Sequence, residues 1–282
     1  MPSFTLLGQS LLSGIFIGAL YGLLGLGLSL SWGLLRQINL AHFALAFLGA
    51  YLTYQLAGAG WDPIATLALV VPCFFAFGAM MHWLFARFSI SPFNSLLVSF
   101  GLTVIIESAI QAIWTADHRR LDSAYAAIRY KIGGLYVPFP ELLTLVLAAS
   151  LCIAAWAWLR YTDMGKAMRA VAEDAPIAAA FGVNERMLSL LLSGLAAAFA
   201  GVAGLCLALS FTLAPSQIYS WIGVVFAAVM IGGLGNPIGP LLAGMVIGVS
   251  EAITMALTAP TWAPLVSFSL LIAVLLARAK RL

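Results

Sequence analysis

The chain has 282 residues, of which 63% are hydrophobic and 8% charged, with a formal net charge of +3. A soluble domain carries about 25% charged residues, so the composition excludes a water-soluble enzyme, a coiled coil and a disordered chain. The small net charge and scattered basic residues exclude a nucleic-acid binder. At about 20 residues per lipid crossing, the apolar content suffices for at most about nine helices.

Charge-free intervals locate those helices. No charged side chain falls between Arg36 and Asp62, between Asp62 and Arg87, between Arg87 and Glu107, or from Met187 to Ser250. With turns read from Pro, Gly and polar clusters, the spans fall near 8–34, 38–57, 63–86, 92–114, 140–159, 187–210, 218–235, 238–258 and 262–278. This predicts an all-α integral membrane protein. It is a polytopic bundle of about eight or nine transmembrane helices in one domain, 1–282. The second helix is expected to be broken or short, because Asn39, His42, Gly49 and Gln55 interrupt it. The uncharged stretch Met1–Leu35 lacks a basic start and is too long for a cleaved signal, so it reads as a retained first span. Cys73, Cys152 and Cys206 lie far apart in apolar runs and read as small core residues, not as a disulfide frame or a zinc site.

Lys and Arg in short loops set orientation. The loop Arg160–Arg186 and the tail with Arg278, Lys280 and Arg281 belong in the cytoplasm, which puts Arg36 and Arg87 inside and the N-terminus outside. Residues 115–139 carry Arg119, Arg120, Arg129 and Lys131 against the rule, yet the count of spans places them outside.

Small residues recur at helix-contact spacing: Gly14, Gly18 and Gly22 in the first span, Gly201 and Gly204 in the sixth, Gly244 and Gly248 in the eighth. In lipid, where nothing hydrophobic drives helices together, close backbone approach at such positions supplies the packing. Polar residues at membrane depth are costly and therefore functional candidates: Asn39 and His42 where the second span begins, Glu107 in the fourth, Glu251 in the eighth. For His42 a hydrogen-bonded bridge competes with proton relay, and for Glu251 a structural partner competes with a pathway role. Residues 231–240, IGGLGNPIGP, contain Gly233 and Asn236 in a stretch no ordinary helix survives. Either it is a tight cytoplasmic turn or irregular backbone lining a cavity. No Ser/His/Asp set, no metal-ligand spacing and no P-loop can be identified, so neither a catalytic nor a metal site is assigned.

The most distinctive soluble piece is Tyr161–Arg186, punctuated by Gly165 and Gly182. Pro176 suits the first turn of a helix capped near Glu173 or Asp174. The loop at about 161–186 therefore reads as two short helices bent at Glu173–Pro176, lying along the cytoplasmic face against lipid or a partner's groove.

Four stretches carry a resemblance: Tyr21–Gly33 (YGLLGLGLSLSWG), Asn39–Tyr51 (NLAHFALAFLGAY), Thr162–Asn184 (TDMGKAMRAVAEDAPIAAAFGVN) and Gly232–Glu251 (GGLGNPIGPLLAGMVIGVSE). Together they resemble the membrane subunits of bacterial ABC importers for branched-chain amino acids and related small solutes, most closely the shorter, LivH-type permease. The resemblance implies a multi-pass subunit of the bacterial inner membrane. Its partners would be a second, LivM-type permease subunit, two ATPase subunits and a periplasmic solute-binding protein. This chain itself would hold no cofactor, and ATP and Mg would bind the ATPase subunits. The Ala-rich loop would be the coupling segment, with Glu173, Ala178, Ala179 and Gly182 at the positions of a short EAA…G-like motif and Gly165 and Asp174 beside them. Where the family continues Asn-x-Ala-His with Gly and an acidic residue, Phe43 and Ala44 follow here, so an amide or organic acid competes with a branched-chain amino acid as the solute. A proton-coupled secondary transporter using Glu107 or His42 is the alternative function. An uncoupled channel is a third.

Overall fold

A computed structural model describes residues 4–88, 91–258 and 260–279. Lys280 and Arg281 of the basic tail lie outside the described residues.

Long helices dominate: α1 (Phe4–Leu35), α2 (Ala41–Gly58), α3 (Leu67–Arg87), α4 (Pro92–Trp114), α6 (Phe139–Tyr161), α9 (Glu185–Ser210), α10 (Ile218–Gly232), α11 (Gly239–Leu257) and α12 (Ala263–Ala279). Short elements sit between them. These are α5 (Ala124–Ala127), the strands β1 (Arg129–Ile132) and β2 (Leu135–Pro138), α7 (Asp163–Glu173) and α8 (Ala175–Ala180). Among the described residues, seven helices are long and apolar enough to cross a membrane: α1, α3, α4, α6, α9, α10 with its leading 3-10 turn, and α11. α2 falls outside that set because His42, Thr53 and Gln55 dilute its apolar run, and α12 because it is short. The expected break in the second helix is not there. α2 runs without interruption through His42, Gly49 and Gln55, while Asn39 stays in a non-helical connector, residues 36–40.

α1 is the central post, with Leu20, Leu23, Leu24, Leu26, Leu28 and Leu30 all essentially inaccessible. It packs antiparallel on α11 along the glycine seam the sequence singled out. A Cβ on Gly14 would strike the backbone of Gly248 and Val249, one on Gly18 the backbone of Gly244 and Met245, and one on Gly22 that of Leu241. α9 is the second post. Gly204 lets the α2 backbone at Ala46 and Ala50 approach, and Gly201 receives Val70 and Phe74 of α3. Cys152 and Cys206 are buried as expected, but Cys73 is exposed on the outer surface of α3. An apolar outer surface is the ordinary condition of a helix that faces lipid, so an apolar run does not distinguish core from periphery.

The loop 115–139 is more ordered than a connector. β1 and β2 form an antiparallel hairpin pairing Arg129 with Pro138 and Ile132 with Leu135. Gln9 of α1 brackets the Tyr136 backbone, its Nε2 donating to the carbonyl at 2.9 Å and its Oε1 accepting from the amide at 3.0 Å. Arg119 and Leu213 exchange backbone hydrogen bonds of 2.9 and 2.7 Å. The bundle thus has two end faces. The far face carries this hairpin, and the near face carries α7, α8, the α1–α2 connector and the α10–α11 turn.

Candidate pathway and coupling sites

The loop Tyr161–Arg186 folds as its caps dictate. Thr162 Oγ1 accepts from the Gly165 amide at 3.1 Å and starts α7. Gly165 sits where a Cβ would lie 2.5 Å from Leu159 Cα, so glycine allows α7 to turn tightly off α6. Asp174 Oδ1 accepts from the Ile177 amide at 3.0 Å and starts α8, with Pro176 in its first turn. Asp174 is therefore the cap and Glu173 the last residue of α7. Gly182 ends α8 at φ +84°, a left-handed conformation that favours glycine at this position. Its amide reaches the Ala179 carbonyl at 2.9 Å. Ala178 is buried, whereas Glu173, Asp174, Ala179 and Gly182 are exposed. The pair of helices is tied to the α1–α2 connector by Arg36, whose Nη2 donates to the Ala172 carbonyl at 3.1 Å.

Two residues the sequence reasoning passed over stand out here. Ile177 is 58% exposed and Phe181 is 86% exposed, and they are the two large side chains in residues 175–182, APIAAAFG. That contrast in side-chain size was the available signal. The near face also carries a cavity of about 820 Å³, lined by Arg36, Arg87, Arg186, Glu173, Asp174 and Glu185 among others.

The α1–α2 connector departs from ordinary backbone at Arg36, φ +54°. Leu40, which precedes α2, lacks a capping side chain, so Ser99 of α4 serves instead, accepting from the Leu40 amide at 3.0 Å. His42 is 2% exposed, and its Nε2 donates to the Leu24 carbonyl of α1 at 2.9 Å. Because a carbonyl only accepts, Nε2 carries the proton. A Cβ on Gly27 would meet His42 Cε1 at 2.5 Å, so that glycine makes room for the ring. Asn39 is half-buried one turn before. Gly233 and Asn236 belong to a tight turn, where Ser29 Oγ of α1 donates to the carbonyls of both at 3.3 Å. The Gly235 amide returns a bond to the Ser29 carbonyl at 3.0 Å, and a side chain on Gly33 would collide with Gly235.

The two carboxylates in the membrane-spanning helices sit differently. Glu107 is half-buried at the α4–α10 edge, where Tyr219 donates to it at 2.6 Å and Gln111 at 3.1 Å. Glu251 is 7% exposed and takes hydroxyls from Tyr21 of α1 at 2.9 Å and from Ser267 of α12. Among the described residues, then, Glu107, Glu251 and the Asn39–His42 pair occupy three separate clusters with no shared hydrogen-bond partner. On the far face, Tyr125 donates to exposed Asp62 at 2.6 Å. This bond holds the Asp62 carboxyl below its ordinary value and raises the Tyr125 phenol.

Comparison with known proteins places this architecture. The family described as branched-chain amino acid transport system / permease component matches residues 10–275. The high-affinity branched-chain amino acid transport system permease protein LivH of Escherichia coli K12 is 26% identical, over 95% of this chain and 92% of the relative. BraD of Pseudomonas aeruginosa is 24% identical over 96% and 93%. A probable LivH of Methanocaldococcus jannaschii is 27% identical over 88% and 81%. No solved structure gives a significant match.

Proposed function

The chain belongs to the family of branched-chain amino acid transport permease components, and from that premise we propose that it is the membrane-spanning permease of an ABC importer. It takes up a small polar solute, a branched-chain amino acid or a related amide or organic acid, across a bacterial inner membrane. The relatives' names support the amino-acid class. Energy comes from ATP and Mg bound by two partner ATPase subunits. A second, LivM-type permease completes the pathway, and a periplasmic binding protein delivers the solute. α2 and α12 join the seven longer helices to make nine crossings. The near face, with Arg36, Arg87, Arg160, Lys166, Arg169 and Arg186 in or beside its short loops, is cytoplasmic by the bias of Lys and Arg toward that side. The N-terminus is then periplasmic and the C-terminus cytoplasmic.

The observation that carries this reading is the projecting α7–α8 pair. It is capped at both starts, seated on α6 through Gly165 and on the α1–α2 connector through Arg36, and it presents Ile177 and Phe181 to the outside. Such a preformed element with apolar knobs suits insertion into a partner's groove, and a proton-coupled carrier has no use for one. Of the pathway candidates, we assign Glu107 to the solute route, because a carboxylate held half-open by Tyr219 and Gln111 needs an aqueous or protein-covered surface. Asn39, His42, Gly233, Asn236 and Glu251 shape that route by holding the helices around it.

The test is reconstitution. Vesicles with the permeases, ATPase subunits and loaded binding protein should take up radiolabelled leucine only with internal or external ATP at the nucleotide-binding side. Vesicles with this chain alone should take up none under an imposed pH gradient. Uptake driven by the pH gradient alone would overturn the reading in favour of a secondary transporter.

A further inference from the structure

Between α3, α9 and the α1–α2 connector lies a cavity of about 20 Å³ whose polar lining is Ser31, Gln37, Asn39, His82 and Ser193. That volume matches one water molecule. His82 is 8% exposed, and both its Nδ1 and the Asn39 Oδ1 are buried with no hydrogen-bond partner. Native proteins pair nearly all such atoms, because an unpaired buried polar group keeps its full desolvation cost. The Asn39 carbonyl can only accept, whereas an imidazole nitrogen donates or accepts according to tautomer. A water, with two donors and two acceptors, satisfies either combination. A metal ion does not suit this lining, which offers no carboxylate.

We propose that Asn39 and His82 hold one ordered water, which forms a hydrogen-bonded joint between the α1–α2 connector and α3. The cavity shares Leu35, Gln37 and His82 with the large near-face cavity, so the water exchanges through that side. Arg36, three residues before Asn39, holds the α7 backbone. The joint therefore stands between the α7–α8 element and the core helices, and its part in coupling rests on the function proposed above.

X-ray radiolytic footprinting of the assembled transporter in nanodiscs, read by mass spectrometry, tests the site without any transport measurement. Radicals generated from a bound water oxidise the side chains around it. Met81 and Phe85 line this cavity while being 7% and 5% exposed, and Met168, 2% exposed, lies elsewhere and serves as the buried reference. Oxidation of Met81 should exceed that of Met168 several-fold in the unaltered protein. It should fall toward the Met168 level in Asn39→Leu and in His82→Phe, and persist in His82→Gln, which keeps a polar end. Met81 oxidation no higher than Met168 in the unaltered protein overturns the proposal, whatever the variants do. So does a high level that both apolar variants leave unchanged. If the water is present but solute-stimulated ATP hydrolysis is unaltered in folded Asn39→Leu, the site stands and the coupling role fails.

Discussion

Replacing Gly18 by alanine adds one methyl group to the glycine seam between α1 and α11. The new Cβ would lie 2.5 Å from Met245 Cα and closer still to the Gly244 carbonyl. Ordinary contact begins near 3.4 Å, so α1 and α11 must separate by about 1 Å at this point. The obstacle is backbone, which cannot rotate away as a side-chain tip would. Overpacking of this kind costs about 1–3 kcal/mol. The gain from replacing a helical glycine by alanine, roughly 0.5–1 kcal/mol, offsets only part of it. Gly18→Ala should therefore lower stability by about 1–2 kcal/mol. Gly101 in α4 is the internal control, since a Cβ there meets nothing within 4 Å, and Gly101→Ala should be neutral or slightly stabilising. Gly244→Ala opens the same seam from the other side, because its Cβ meets the Gly18 carbonyl at 2.5 Å. The double variant should then cost less than the two singles together, since one separation relieves both clashes. Thermal unfolding of the purified protein in detergent, followed by tryptophan fluorescence, reads all four. Equal melting for Gly18→Ala and Gly101→Ala would refute the seam as the source of packing, as would additive losses in the double variant.

Three further outcomes follow from the same geometry. Gly182→Trp places a large side chain at φ +84° on an exposed turn. Solute-stimulated ATP hydrolysis should be lost while co-purification of the folded subunit survives, and normal stimulation would remove α8 from the coupling assignment. Ser267→Ala and Tyr21→Phe each remove one hydroxyl from buried Glu251, leaving a carboxylate short of a donor. Hydrogen exchange in α12 should rise more in Ser267→Ala, since that bond is the one joining Glu251 to α12, and equal protection in both would show the contact to be idle. On the far face, the depressed Asp62 carboxyl and raised Tyr125 phenol give opposite edges to one pH window. The carboxylate's contribution is present above its unfolded value near 3.9 and disappears as pH falls through its lower folded value. The phenol's contribution is present below about 10 and disappears as pH rises through its higher folded value. Exchange protection of residues 123–128 should hold between these limits and shrink beyond them, and Tyr125→Phe should bring the Asp62 carboxyl, followed by NMR, back toward 3.9.

Much of this architecture is written in local composition. Charge-free intervals located the long helices to within a few residues, because a lipid solvent admits almost no charge along a crossing. The bend between α7 and α8 was readable for a related reason, since Pro176, a cap at Glu173 or Asp174, and Gly182 act within a few residues of themselves. The Thr162 cap that starts α7, by contrast, was not singled out. Glycine spacing announced that α1, α9 and α11 make close contacts. Partner choice was a different matter. That Gly18 meets Gly244, that Ser99 caps α2 from another helix, and that Tyr21 and Ser267 converge on Glu251 all depend on side chains more than 15 residues apart. The same apolar run serves a buried post such as α1 and a lipid-facing helix such as α3, so hydropathy could not tell buried Cys206 from exposed Cys73. His82 shows the limit most plainly. In sequence it is one polar residue in an apolar helix, and only the approach of α9 and the connector makes it the wall of a polar cavity. Local chemistry determines which segments can cross lipid, whereas which polar atoms find partners there is decided by how the crossings pack.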